Sequence, residues 1–182
     1  TIGFSVSTLS NPFFVTMSDA ADAKAKEMGI RIILDGVFNH TGSNSRYFNK
    51  YGEYDSVGAY QSKESPYYTW FRFMDWPDVY ESWWGMTTLP QIEEHSEECR
   101  KYLLSDKDAI VKRWIKNGAS GWRLDVVDEL PGFFVKELRE NVKKADKDAV
   151  IIGEVWEDAS NKSAYGERRE YFLGKELDSV MN

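Results

Sequence analysis

The chain has 182 residues, 42% hydrophobic and 29% charged, with 23 Lys and Arg against 30 Asp and Glu for a formal net charge of −7. That is a folded globular composition, and no run approaches the roughly 20 apolar residues of a membrane-spanning helix. The negative balance argues against a nucleic-acid binder, whose footprint is a basic stripe, and the single cysteine, Cys99, forms no internal disulfide and requires no oxidising compartment.

Thr1 to Leu9 is a β-rich run that Asn11-Pro12 interrupts. Phe13 to Met28 carries Ala and Lys at helical density and meets Gly29, which predicts a helix with a glycine C-cap. Ile30 to Phe38 is a continuous apolar run, predicting a strand buried on both faces. From Thr41 to Glu98 periodicity fails, and nine of the 18 residues from Tyr67 to Trp84 are aromatic. Such a stretch is too long for a simple connection; its rings either fill a core or form a flat surface for sugar rings. Ser105-Asp106 predicts an N-cap for a helix closing at Asn117-Gly118. Gly121 to Val127 predicts a strand, Pro131-Gly132 opens a helix to about Lys144, and Ala149 to Trp156 predicts another strand. A helix over Tyr165 to Leu173 and a strand from Leu177 to Met181 complete the alternation. A complete eight-stranded barrel needs about 250 residues, so the expected architecture is α/β, a partial (β/α)8 barrel of roughly half the strands. The long aromatic-rich insertion follows the second strand.

Polar groups fall at the carboxyl ends of three strands, where such folds place their sites. In DGVFNH (35–40), a period of two puts Asp35, Val37 and Asn39 on one face, with His40 at the strand end. In GWRLDVV (121–127), Arg123 and Asp125 lie two apart and point to one side; a guanidinium beside a carboxylate favours the charged form. In GEVW (153–156), Glu154 sits between small and apolar neighbours, where desolvation is expected to raise its pKa as a general acid requires. Each segment alone also fits a structural ion pair, a capping histidine or an ordinary strand-end glutamate. Together they supply the two carboxyls of retaining glycoside cleavage, for which a separation of roughly 5–5.5 Å is expected.

In this order and spacing, DGVFNH, GWRLDVVDE (121–129) and GEVW resemble the first three signature regions of the α-amylase family of glycoside hydrolases. Asp128-Glu129 and Trp122 bring the chain nearest to the cyclomaltodextrinase and neopullulanase branch. The resemblance spans 29–182 and implies a (β/α)8 barrel with a small domain after the third strand, here 41–98, acting on α-glucan oligosaccharides. It implies Asp125 as nucleophile and Glu154 as general acid/base. It also places Arg123 against Asp125, His40 at the cleavage subsite, and Glu129 and Trp156 along the groove, with Asp35 and Asn39 architectural. No cofactor is required; calcium at Asn39 is an expectation from the family alone.

Two departures qualify this picture. The family's fourth signature region, with a His-Asp pair, does not occur in these residues, so the machinery is expected to be incomplete, and a non-catalytic sugar-binding or scaffold fragment is the alternative. Residues 1–28 resemble the opening strand and helix of ribose-type periplasmic sugar-binding proteins, with Ser10-Asn11-Pro12-Phe13-Phe14 as a sugar-facing loop. Both resemblances together imply a chimera joined between Lys26 and Ile30, engineered or recombined. A half-barrel leaves sheet edges open, so a homodimer covering them is expected. The lone cysteine fits the cytoplasm; the N-terminal resemblance leaves periplasmic or extracellular residence open.

Overall fold

The computed structural model describes residues 20–181 except Asp22. The expected strand at Thr1–Leu9, the loop at 10–14 and the start of the first helix lie outside the described residues. Residues 20–21 and 23–27 are helical and stop where Gly29 was expected to stop them. Gly29 has φ 65°, its N–H reaches the Lys26 carbonyl at 3.2 Å, and the Ile30 N–H reaches the Ala25 carbonyl at 2.8 Å. This paired closure needs a residue that adopts the left-handed region at little cost.

Four parallel strands follow: β1 (Leu34–Gly36), β4 (Gly121–Leu124), β5 (Val150–Glu154) and β8 (Ser179–Met181), in that order across the sheet. Parallel neighbours that keep chain order across the sheet, with the two hairpins lying in the connections between them, are what a barrel arc requires. β1 is shorter than the expected 30–38 and is buried on one face only. Gly36 and Phe38 are buried, whereas Ile33, Asp35 and Val37 are exposed. Because the strand stops at Gly36, Asn39 leaves the expected Asp35–Val37 face and is fully buried.

Between β1 and β4 lie the hairpin of β2 (Phe73–Asp75) and β3 (Val79–Tyr80), then α1 (Glu97–Arg100), one π turn (Lys101–Ser105) and α2 (Ile110–Lys116). Ser105-Asp106 therefore does not cap α2. The preceding helical segment consumes Ser105, and Asp106 N–H closes that π turn on the Lys101 carbonyl at 2.9 Å. The true start, Ala109, has no side-chain cap. The aromatic run divides. Phe48 is fully buried against Phe71, Phe73, Tyr60 and Tyr80, and Tyr47 packs on Trp70 and Tyr102, while Trp83 and Trp84 turn elsewhere.

β4 ends three residues earlier than expected. Val126 takes a left-handed φ of 35° and a 3₁₀ turn spans Val127–Glu129. Next, α3 (Gly132–Ala145) buries Phe134, Val135, Leu138 and Val142. The expected helix over 165–173 is instead a hairpin of β6 (Ser163–Ala164) and β7 (Glu167–Arg168), then a 3₁₀ turn at Tyr171–Leu173. Tyr165 and Gly166 both have positive φ, 55° and 73°, the double left-handed turn that matches strand twist and breaks a helix. No helix among the described residues is long and apolar enough to cross a membrane.

Backbone contact between β4 and β5 depends on Gly121. Its φ is 157°, and a Cβ there would stand 2.1 Å from the Val150 carbonyl oxygen. Gly121→Ala is expected to destabilise the chain by at least about 2 kcal/mol in urea unfolding; an unchanged midpoint would contradict this pairing.

Candidate active site

Register builds the site. Asp35 on β1 lies directly across from Arg123 on β4, which lies across from Ile152 on β5, two residues before Glu154. Arg123 Nη1 donates to Asp35 Oδ1 and to Asp125 Oδ1, each at 2.7 Å, and Nη2 meets Glu154 Oε2 at 2.8 Å. One guanidinium thus gathers three carboxylates from three successive strand ends. The left-handed turn at Val126 aims its N–H at Glu154 Oε2, 2.9 Å away.

Glu154 does not carry the raised pKa expected of it. Burial, the largest influence, pushes its carboxyl up, but the Val126 amide, the Trp156 indole and the Arg123 charge together bring it below the ordinary value. The sequence predicted the desolvation but not the donors, because a backbone N–H supplied by a strained turn leaves no sequence signal. His40 is neutral at neutral pH: burial lowers its pKa against the opposing charges of Asp125 and Glu129. Its ring stacks on Trp83 with centroids 5.3 Å apart.

Glu129 receives the indole N–H of Trp83 on Oε2 and that of Trp84 on Oε1, the latter at 2.7 Å. Trp84 and Trp156 meet edge to face with centroids 5.6 Å apart. With Val126, Glu129, Glu154 and Lys162 they line a cavity of about 290 Å³. Asp128 also lines the cavity, accepting the Tyr171 hydroxyl and pairing with Lys162 Nζ at 3.2 Å. Sequence reasoning missed Val126, Trp83, Trp84 and Lys162 here; only the tandem tryptophans stood out, inside a run whose other rings form core.

Asn39 is fully buried and neither atom of its amide has a partner. A calcium ion needs six to eight oxygens, and no group of three or more His, Cys, Asp or Glu side chains converges to hold a metal among the described residues. Of the oxygens such a site takes, the unpartnered Asn39 amide supplies one.

A parallel α/β sheet with paired carboxylates at its carboxyl edge, beside an aromatic-walled cavity, places the chain in the class of α/β folds that carry their sites at the carboxyl ends of the strands. The chain belongs to one family of that class: the model of the alpha amylase catalytic domain matches residues 11–182. Among curated relatives, an amylopullulanase of Thermoanaerobacterium saccharolyticum is 39% identical over 180 residues, covering 89% of this chain and 13% of the relative. A cyclomaltodextrinase of Thermoanaerobacter pseudethanolicus is 35% identical, covering 87% of this chain and 26% of the relative. A cyclic α-maltosyl-(1→6)-maltose hydrolase from Arthrobacter globiformis, solved with that sugar, superposes with a TM-score of 0.73 at 28% identity. It covers 90% of this chain and 34% of its own. This chain therefore spans a small part of the relatives it matches, and the catalytic domain's (β/α)8 barrel is covered only in part. The match from residue 11 also runs through most of the 1–28 segment.

The Glu154 carboxyl titrates below its ordinary 4.5, so its contribution to stability is present above that pH and lost as pH falls through the lower folded value. In carboxyl-carbon NMR, Arg123→Met is expected to raise the Glu154 midpoint, because burial then meets less opposition. An unmoved midpoint would show that the guanidinium does not govern this carboxyl.

Proposed function

We propose that the chain carries part of the catalytic machinery of a retaining glycoside hydrolase acting on α-glucan oligosaccharides. The observation that carries this reading is the single guanidinium of Arg123 joining Asp125 and Glu154 at adjacent strand ends. Asp125 attacks the anomeric carbon and expels the leaving sugar while Glu154 protonates its bridging oxygen. Glu154 then takes a proton from water as that water releases the sugar from Asp125. Neutral His40 offers hydrogen bonds at the cleavage point, and Glu129 and Trp156 line the groove. Asp35 and buried Asn39 hold the scaffold, and no step passes through calcium. The substrate class is supported by the names of the relatives, which act on pullulan-like, cyclic or maltose-based glucans.

The lowered pKa of Glu154 bears on both roles. It leaves the free site in the base form, so the acid step needs a bound sugar to strip water from Glu154 and raise its pKa, in the direction burial already acts. The same ion pair favours a second reading, a sugar-binding scaffold without turnover, in which Arg123 keeps Glu154 permanently charged.

A second copy covering the outer edges of β1 and β8, which have no further neighbour among the described residues, is proposed as a homodimer; light scattering at monomer mass would remove it. A foreign origin for residues 1–28 places a junction inside the family match, and a continuous coding sequence across that point in the source genome would remove the chimera. Cytoplasmic residence is proposed on the lone, buried, reduced Cys99.

Hydrolysis of γ-cyclodextrin and maltotriose tests the main reading. Glu154→Gln is expected to lower kcat by about 10² to 10⁴. Folded wild-type chain with no turnover would favour the scaffold.

A further inference from the structure

Glu129 stands at the rim of the cavity with both carboxylate oxygens already taken by the indoles of adjacent residues, Trp83 and Trp84. Adjacent side chains reach one carboxylate only if the chain turns sharply between them, and Trp84 does so at φ 52° and ψ 31°. A bulky residue in the left-handed region is strained and persists only where its surroundings hold it. Burial does not hold Trp84, which is 68% exposed; its hydrogen bond to Glu129 and its ring contacts with Trp83 and Trp156 do. On the other side, the Trp83 ring lies against His40. The paired indoles thus connect the histidine at the proposed cleavage point to the wall shared with Glu154.

On the proposed mechanism, the group that protonates the bridging oxygen faces the departing sugar, so the cavity lined by Glu154 is the one that receives it. We propose that Trp83 and Trp84 are positioning residues that fix the Glu129 carboxylate at the rim of this cavity, where its remaining lone pairs accept hydroxyls of the departing sugar. The inference rests on the glycoside reading above. A carboxylate accepts up to about four hydrogen bonds, so two indoles leave room for sugar hydroxyls while removing the rotamer freedom that binding would otherwise have to quench.

The test is calorimetric titration with maltotriose of an Asp125→Asn chain, which prevents turnover, alone and with Trp84→Phe, Glu129→Gln or both. Phe keeps the ring and removes the N–H. Each single change is expected to weaken binding about tenfold, and the pair no more than either alone, because one acts through the other. Independent losses that multiply, or none, would overturn the role of Trp84. If the Asp125→Asn chain binds no maltotriose, the glycoside reading itself fails and takes this inference with it. Should Trp84→Phe not fold, the Trp84 indole N–H resonance decides: Glu129→Gln is expected to shift it, and an unchanged resonance overturns the proposal.

Discussion

Arg123 is the constraint on which the site depends. Three carboxylates at neighbouring strand ends repel one another, and a single cation on the middle strand holds them at hydrogen-bond distance. Removing the cation would leave the partly buried charges of Asp125 and Glu154 uncompensated, which costs more than the net worth of those intact pairs. The surrounding backbone is shaped to this arrangement. Register places Asp35 opposite Arg123, and the left-handed Val126 turns its amide onto Glu154. Gly153 leaves room where a Cβ would stand 2.5 Å from Leu177 and 2.7 Å from Val127.

This arrangement sets a tension at Glu154. The donors that fix its position also favour its charged form, whereas proton donation requires the neutral one. Burial is the largest influence on it and opposes the donors, so the balance can be tipped by whatever displaces water from the cavity. On the proposed mechanism, a sugar seated against Trp84 and Trp156 is such an agent. The second wall is organised differently, with Glu129 held by neutral indoles, which orient a carboxylate without adding a competing charge.

Much of the scaffold was legible from sequence because it follows from local rules. Gly29 ends its helix as a glycine at that position should, Pro131 opens α3, and the apolar runs at 121–124 and 150–154 pair as parallel strands. The Arg123–Asp125 contact followed from spacing. What sequence did not yield depends on tertiary context or on left-handed backbone in residues that seldom adopt it. Tyr165-Gly166 turned an expected helix into a hairpin, and Ser105-Asp106 looked like a cap because the apolar periodicity of 97–105 is too weak to reveal the helix before it. Val126 and Trp84 occupy left-handed positions that Val and Trp rarely take, and both contribute donors to the site. The aromatic run was ambiguous because both readings are true of it: Phe48, Phe71 and Tyr80 make core, while Trp83 and Trp84 reach Glu129.

The most direct test of the account is whether Asp125 forms a covalent bond to sugar. Incubating the chain with a fluorinated α-glucosyl fluoride, whose substituent slows release of the glycosyl-enzyme, and mapping the labelled peptide by mass spectrometry reads this step alone. The account predicts one added glycosyl mass, carried by Asp125 and absent in Arg123→Met. Folded chain that takes up no label, or takes it up at another residue, would contradict it.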